Sequence, residues 1–323
     1  MPHSVRECLR IETASLSART ARRDSSFIFR SRLIFLGKIA ASSILLFLLL
    51  RSVPPAQIAV VLTSAPSPFL LAAFALTVPN LLVQVWKWHY ILRLAHRDIS
   101  LGTAYTSLIV GFPLGFVTPG RLGEIGRAFY VKNVSPVKTF KLVIFDKVSN
   151  LAVTVLAGAT GLLAFDELHL ALPAKSVLLA GLLIISALVL HASVLSPQLR
   201  IKLGRLLRIQ DLGKRNMAMV LAFSLLFYGV YLMQFLLLVR HFGATSLWAA
   251  AGAATVVFLS KSLLPIGFAD LGVREGAAVF FLGQIGVTAA ASFNAAFCLF
   301  IFNVACPTLL GLPILLRTKR ELC

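Results

Sequence analysis

Residues 217–240 read MAMVLAFSLLFYGVYLMQFLLLVR, with no charged side chain between Met217 and Val239 and with Lys214, Arg215 and Arg240 at the borders. A helix needs about 20 apolar residues to cross a hydrocarbon core about 30 Å thick, and this stretch is long enough. Comparable apolar runs recur near 33–50, 68–94, 139–165, 174–196, 245–264 and 287–316. The 323 residues are 58% hydrophobic and 13% charged, with a mean hydropathy of +0.89. About a quarter of an ordinary soluble domain is charged. A chain so poor in charge requires lipid as solvent, where backbone groups must be satisfied internally. The runs predict an all-α integral membrane protein, a multi-pass helical bundle.

Two further runs, near 101–117 and 271–286, are short and interrupted by Gly and Pro. They read as re-entrant or broken segments. The order of elements then repeats. Residues 33–165 run span, span, broken segment, span, and residues 174–316 do the same from the opposite side of the membrane. That is the outline of an inverted-topology repeat. The expected organisation is a basic N-terminal tail (1–32), one membrane domain (33–318) and a short tail (319–323).

The net charge of +19 does not point to nucleic acid, because the basic residues sit in short segments between apolar runs. They gather in 1–32, 93–101, 119–141, 197–216 and 317–323, whereas the alternate loops hold Arg51, Lys175 and Arg240. The positive-inside rule places both termini in the cytoplasm. Residues 1–32 are rich in Arg and Ser and show no early apolar run, so a solvated tail fits better than a signal or transit peptide. The basic 197–216 loop reads as a topology determinant, or as a docking surface for an anionic leaflet or partner. Trp86, Trp88 and Tyr90 beside Lys87 and His89 suit an interfacial belt. Thr118-Pro119 and Ser135-Pro136 each read as an N-cap followed by Pro at the first helical position. Neither the four cysteines nor the six histidines show metal-ligand spacing. No metal or cofactor is expected.

The first broken segment is Gly111-Phe-Pro-Leu-Gly115-Phe-Val-Thr-Pro119-Gly120-Arg121-Leu-Gly123-Glu124-Ile-Gly126-Arg127. Pro119-Gly120 makes a turn. Arg121, Glu124 and Arg127 follow at three-residue spacing and share a helix face. Gly123 and Gly126 leave room for a backbone or a lipid headgroup. The segment reads as a solvated ion-pair ladder, or as a cationic headgroup site in which Glu124 orients two phosphate-suited guanidinium forks. The Gly111/Gly115 pair could pack helices within one chain or between copies.

The second is Lys261-Ser262-Leu-Leu-Pro265-Ile-Gly267-Phe-Ala-Asp270-Leu-Gly272-Val-Arg274-Glu275-Gly276. Pro265, Gly267 and Gly272 break the helix around a charged cluster. Asp270 is a plain N-cap or a partner of Arg274 and Glu275, since charges in membrane segments pair or line cavities. Lys261 borders the same segment. A third element, Asp146-Lys147 with Asn150, lies on the 139–165 helix, where Asp146 and Asn150 share a face. It reads as a contact between helices or as part of a cavity wall, with Lys147 free to snorkel.

Taken together, Pro119-Gly-Arg-Leu-Gly-Glu124 with Arg127, Asp146-Lys147, and Pro265-Ile-Gly-Phe-Ala-Asp-Leu-Gly-Val-Arg-Glu275 resemble the lysylphosphatidylglycerol synthase transmembrane-region family. This is the flippase-like part of the multiple peptide resistance factor, with stand-alone bacterial, archaeal and hopanoid-associated members. The resemblance covers roughly residues 33–318. It implies a helical membrane bundle with re-entrant segments, in the cytoplasmic membrane of a bacterium, that binds or moves a lipid with an anionic or glycosylated headgroup. Lys147 stands where many relatives carry Arg, keeping the charge and losing the fork. Aminoacyl-lipid synthases of the family have a soluble transferase domain after the membrane part. With the sequence ending at Cys323, aminoacyl transfer is expected to need a separate lipid-modifying enzyme.

Three functions follow. The first is a lipid flippase without an ATPase, since no Gly-x-x-x-x-Gly-Lys-Ser/Thr loop occurs. In it Arg121, Arg127 and Arg274 hold the headgroup, and Glu124, Asp146, Asp270 and Glu275 hold the arginines or carry protons. The second is a membrane-embedded transferase acting on a polyprenyl-linked or glycolipid substrate, although no Asp-x-Asp pair is present. The third is a non-transporting accessory subunit of a lipid-modifying enzyme.

Overall fold

A computed structural model describes residues 67–118, 121–131, 134–164, 213–243, 245–264 and 271–321. Among these, all regular structure is helical. Helix α1 (Pro68–Ala75) begins on Ser67, whose hydroxyl accepts from the Leu70 amide, with Pro68 at the first position. Helix α2 (Thr77–Ala95) continues it after Leu76. Helix α3 (Leu101–Phe116) is capped by Ser100 and leads into a 3₁₀ helix, Leu122–Tyr130. Helix α4 (Pro136–Ala164) starts at the expected proline. Then come α5 (Lys214–Phe242), α6 (Leu247–Leu263), α7 (Val273–Gly283) and α8 (Ala289–Phe300). A π turn, Ile301–Ala305, joins α8 to α9 (Cys306–Glu321).

Four stretches are long and apolar enough to cross a membrane: Pro68–Ala95, Pro136–Leu163, Lys214–Phe242 and Ala289–Arg317. They coincide with four of the runs read from sequence. Helices α3 and α6, at 16 and 17 residues, are apolar but shorter. The runs near 33–50 and 174–196, the tail 1–32 and the 197–212 part of the basic loop lie outside the described residues. Helix α9 continues through residues 319–321 of the expected tail.

The interfacial belt needs correction. Trp86 is about half exposed, but Lys87 and Trp88 are 2% and 0% exposed. They face inward, in a core with Ile91, Leu92, Leu142, Val143 and Met217 or against its charged edge. A second core gathers Phe235, Leu238, Phe258, Leu259, Ala295 and Leu299.

The packing has a regularity. Match α2 with α5, α3 with α6, the 3₁₀ helix with α7, and α4 with the α8–α9 helix. Substantial contacts then occur in corresponding pairs. Helix α3 packs on its 3₁₀ helix as α6 does on α7, and α2 on α3 as α5 does on α6. Helix α4 packs on α6 as α9 does on α3, so each long third helix crosses to the other half's short one. Glycine makes both crossings close. A Cβ on Gly311 of α9 would overlap the Ile109 carbonyl of α3, and one on Gly161 of α4 would overlap Thr255 and lie 3.0 Å from the Gly252 carbonyl of α6. Helices in lipid gain their association from such backbone approach, because lipid is as apolar as their side chains.

Gly161→Val is therefore expected to destabilise the fold by about 1–3 kcal/mol or more, the range for overpacking a filled site. Gly229→Ala points into open space and should hold stability or raise it by about 0.5–1 kcal/mol. Thermal melting of the two variants in one detergent measures the difference.

Candidate functional site

The 3₁₀ helix begins in an unusual way. Arg121 takes a left-handed conformation, φ 55°, that L-residues other than Asn and Asp seldom adopt. The Thr118 hydroxyl accepts from the Gly123 amide at 2.6 Å. The helix expected to start at Thr118-Pro119 instead starts at Leu122 with Arg121 as its N-cap residue, and Thr118 supports that start from outside through its hydroxyl. A Cβ on Gly123 would collide with the Leu114 carbonyl, so Gly123 makes room for backbone. At three residues per turn, residues three apart eclipse. The Arg121, Glu124, Arg127 row therefore stays on one line, as it was read, in a tighter helix.

This row lies against α3, and the Gly111/Gly115 pair makes space for it. A Cβ on Gly115 would come within 2.5 Å of Glu124 Cγ, and one on Gly111 within 3.4 Å of Arg127 Cβ and Cδ. The two glycines receive charged side chains of their own chain. Pro119 and Gly120 lie outside the described residues. Gly126 is tight only against the Leu114 side chain.

Two carboxylates organise the charges. Asp146 accepts from Lys87 Nζ at 2.9 Å through Oδ1 and from Arg127 Nη2 at 2.6 Å through Oδ2. Lys87 also donates to Ser149 Oγ at 2.8 Å and Asn150 Oδ1 at 2.5 Å. Arg127 spreads its guanidinium over the Trp88 ring, 4.1 Å from its centre. Its Nε has no hydrogen-bond partner among the described residues. Glu124 forms ion pairs with Arg121 and Lys147. Lys87, Glu124, Arg127 and Asp146 are each at most 7% exposed, whereas the Lys147 side chain is 44% exposed. Asp146 and Lys147 are therefore not one unit, because each serves a different partner.

These groups border a cavity of about 340 Å³. Arg121, Glu124, Arg127, Asp146, Lys147, Asn150 and Lys261, all singled out from sequence, line it. So do Asn80, Gln84, Thr154, Tyr228, Tyr231, Ser262 and Asn303, with Phe112, Phe227 and Phe258 as apolar wall. Lys87 lies eight residues from the end of α2 and Asp146 ten from the start of α4, about 12 and 15 Å. Both groups therefore lie inside their 28-residue apolar stretches, nearer one end than the middle.

Arg274 and Glu275 sit elsewhere. Both are fully buried and bond at 2.5 Å between Nη2 and Oε1. Glu275 Oε2 accepts from the Gly272 amide at 2.8 Å, and Gly272 supplies φ 89°, so the carboxylate ties down the start of α7. Arg274 Nη1 reaches the Tyr231 hydroxyl at 3.5 Å. Tyr231 lines the cavity and carries Lys261 Nζ 5.8 Å from its ring centre. Neither residue of the pair lines the cavity, and among the described residues Arg274 touches its wall at Tyr231. Pro265, Gly267 and Asp270 lie outside the described residues.

Sequence reasoning missed Lys87 and an amide chain. Gln234 Nε2 donates to the Ala73 carbonyl, Asn80 Nδ2 to Gln234 Oε1, and Gln84 Nε2 to Asn80 Oδ1 at 2.8 Å. The available signal was Asn80, Gln84 and Lys87 spaced 4 and 3 apart on one helix face.

Removing one partner of a buried ion pair leaves an uncompensated charge and costs about 3–5 kcal/mol. Lys87→Met should lower thermal stability in detergent by that order. Adding Asp146→Asn to Lys87→Met should recover part of the loss, and an additive double variant would show that the pair is not coupled.

Residues 35–311 match the lysylphosphatidylglycerol synthase TM region family. No curated protein matches the sequence. The match spans most of the chain and every charged element described above, and the chain belongs to the lysylphosphatidylglycerol synthase TM region family.

Proposed function

We propose that the protein binds a membrane lipid with an anionic headgroup in this cavity and moves it between leaflets. The reading rests on the charge of the site. Lys87, Arg121, Arg127, Lys147 and Lys261 stand in or beside the cavity, with Glu124 and Asp146 as carboxylates among the described residues. Counting Arg274, Glu275 and the neighbouring Asp270 still leaves cations in excess. The buried charges balance, Lys87, Arg127 and Arg274 against Glu124, Asp146 and Glu275, and the cations in excess, Arg121, Lys147 and Lys261, are the partly exposed ones that an entering anion can reach. A cavity of about 340 Å³ falls in the range of small-molecule sites, about 300–1,000 Å³.

In this reading Arg121 and Arg127 take the phosphate, with Glu124 and Asp146 holding their side chains in place. Lys147, the most exposed of the set, meets the headgroup first. The acyl chains remain in lipid. The recurrent packing of the two halves supports alternating exposure of the cavity to the two sides, as in inverted-repeat transporters. The chain is read as a carrier that performs no covalent chemistry. Its expected place is the cytoplasmic membrane, with both termini on the basic side.

Reconstitution into vesicles with head-labelled phosphatidylglycerol and a membrane-impermeant quencher tests this. Wild type should expose inner-leaflet label at a protein-dependent rate. Glu124→Gln, which frees Arg121 and Lys147 of their carboxylate, should slow that rate at least tenfold with the protein still folded. Equal rates for the variant and wild type would remove Glu124 from the mechanism. Protein-independent rates would remove translocation.

A further inference from the structure

The cavity has a second chemistry that phosphate does not satisfy, and the direction of its hydrogen bonds is fixed by the backbone. The Ala73 carbonyl can only accept, so Gln234 presents its nitrogen there and its oxygen to Asn80. Asn80 then presents its own oxygen to Gln84 Nε2. Gln84 is left with its oxygen as an acceptor on the cavity wall. Asn303 donates its nitrogen to the Leu299 carbonyl at 3.2 Å, and its oxygen also remains an acceptor. At Asn150 the sense is opposite. The Lys87 ammonium can only donate, so it takes Asn150 Oδ1 and leaves the Nδ2 hydrogens as donors. The Tyr228 hydroxyl, on a residue 7% exposed, has no partner among the described residues and can do either.

A phosphodiester, fully ionised at neutral pH, accepts but does not donate. It answers the arginines and Asn150 but leaves Gln84 Oε1, Asn303 Oδ1 and one function of Tyr228 unmet. The occupant must also carry O–H or N–H donors. An ammonium is disfavoured twice over. It would enter a site with surplus positive charge, and two of the aromatic faces that could bind it already hold protein cations. Arg121 lies 5.5 Å from the Phe112 ring centre and Lys261 5.8 Å from that of Tyr231. Neutral hydroxyls meet no such repulsion, and each one both donates and accepts.

Resting on the anionic-headgroup reading above, we infer that the cavity selects a polyol or sugar phosphate headgroup, with the phosphate on Arg121 and Arg127 and the hydroxyls among Gln84, Asn150, Tyr228 and Asn303, and that it discriminates against an aminoacylated or bare phosphate headgroup.

Native mass spectrometry of the full chain in detergent, with lipids of matched acyl chains in competition, tests the inference. Phosphatidylinositol should be retained at least tenfold over phosphatidic acid and over lysyl-phosphatidylglycerol. Tyr228→Phe and Gln84→Met keep side-chain size and net charge. Each should reduce the preference for phosphatidylinositol over phosphatidic acid about three- to tenfold, the scale of one hydrogen bond. Equal retention of phosphatidylinositol and phosphatidic acid by wild type would overturn the hydroxyl inference and leave the anionic site standing. Preference for the lysyl lipid would overturn it as well. Failure of every anionic lipid to bind would sink both readings. Displacement of phosphatidylinositol by equimolar inositol 1-phosphate would uphold the headgroup chemistry and assign it to a soluble ligand.

Discussion

Asp146, held between Lys87 and Arg127, is the constraint around which the described part of the molecule is arranged. An isolated carboxylate buried within an apolar helix of this length is costly. Two cations from different elements, α2 and the 3₁₀ helix, converge on α4 to compensate it. That convergence fixes three things together: the depth at which α2 and α4 meet, the docking of the 3₁₀ helix, and the floor of the cavity. Trp88 closes the arrangement by stacking under Arg127, and Ser107 donates to the Arg127 carbonyl at 2.8 Å, tying the same residue to α3 through its backbone.

Around this centre, charge and small residues act as complements. Where helices must come close, glycines permit it, as at Gly161 and Gly311. Where charged side chains must pass between helices, glycines again make the space, as at Gly111 and Gly115. The short helices α3 and α6 are each clasped by the long third helix of the other half. Neither half is therefore an independent body in its packing, because the short helix of one half leans on the long third helix of the other.

The spans were legible because lipid imposes a length and a composition that a single run such as 217–240 displays by itself. The row Arg121, Glu124, Arg127 was legible for a related reason, since three-residue spacing aligns side chains in a 3₁₀ helix as well as on an α-helical face. Lys87 was not legible. Its neighbours Trp86, Tyr90 and His89 imitate an interface, and what buries it is a carboxylate 59 positions away in sequence. The adjacency of Asp146 and Lys147 likewise misleads, because neighbours on a helix point about 100° apart. Arg274 read from sequence as a headgroup ligand, and its place beside Glu275 and Tyr231, fully buried, was not legible there because it depends on packing between α7 and α5.

The π turn at Ile301–Ala305 has a geometric meaning for the site. It interrupts the apolar stretch Ala289–Arg317 beside the cavity, and Asn303 within it lines that cavity. A π turn is an α-helix carrying one extra residue. That residue shifts the angular phase of everything after it by about 100° relative to everything before. Helix α8 and helix α9 thus read out different faces of what is otherwise one rod. The phase is the one at which Gly311 meets the Ile109 carbonyl while α8 keeps its own face on α5 and α7. The turn works as a fixed angular offset, letting a single membrane-spanning helix keep two incompatible registers and place an amide between them.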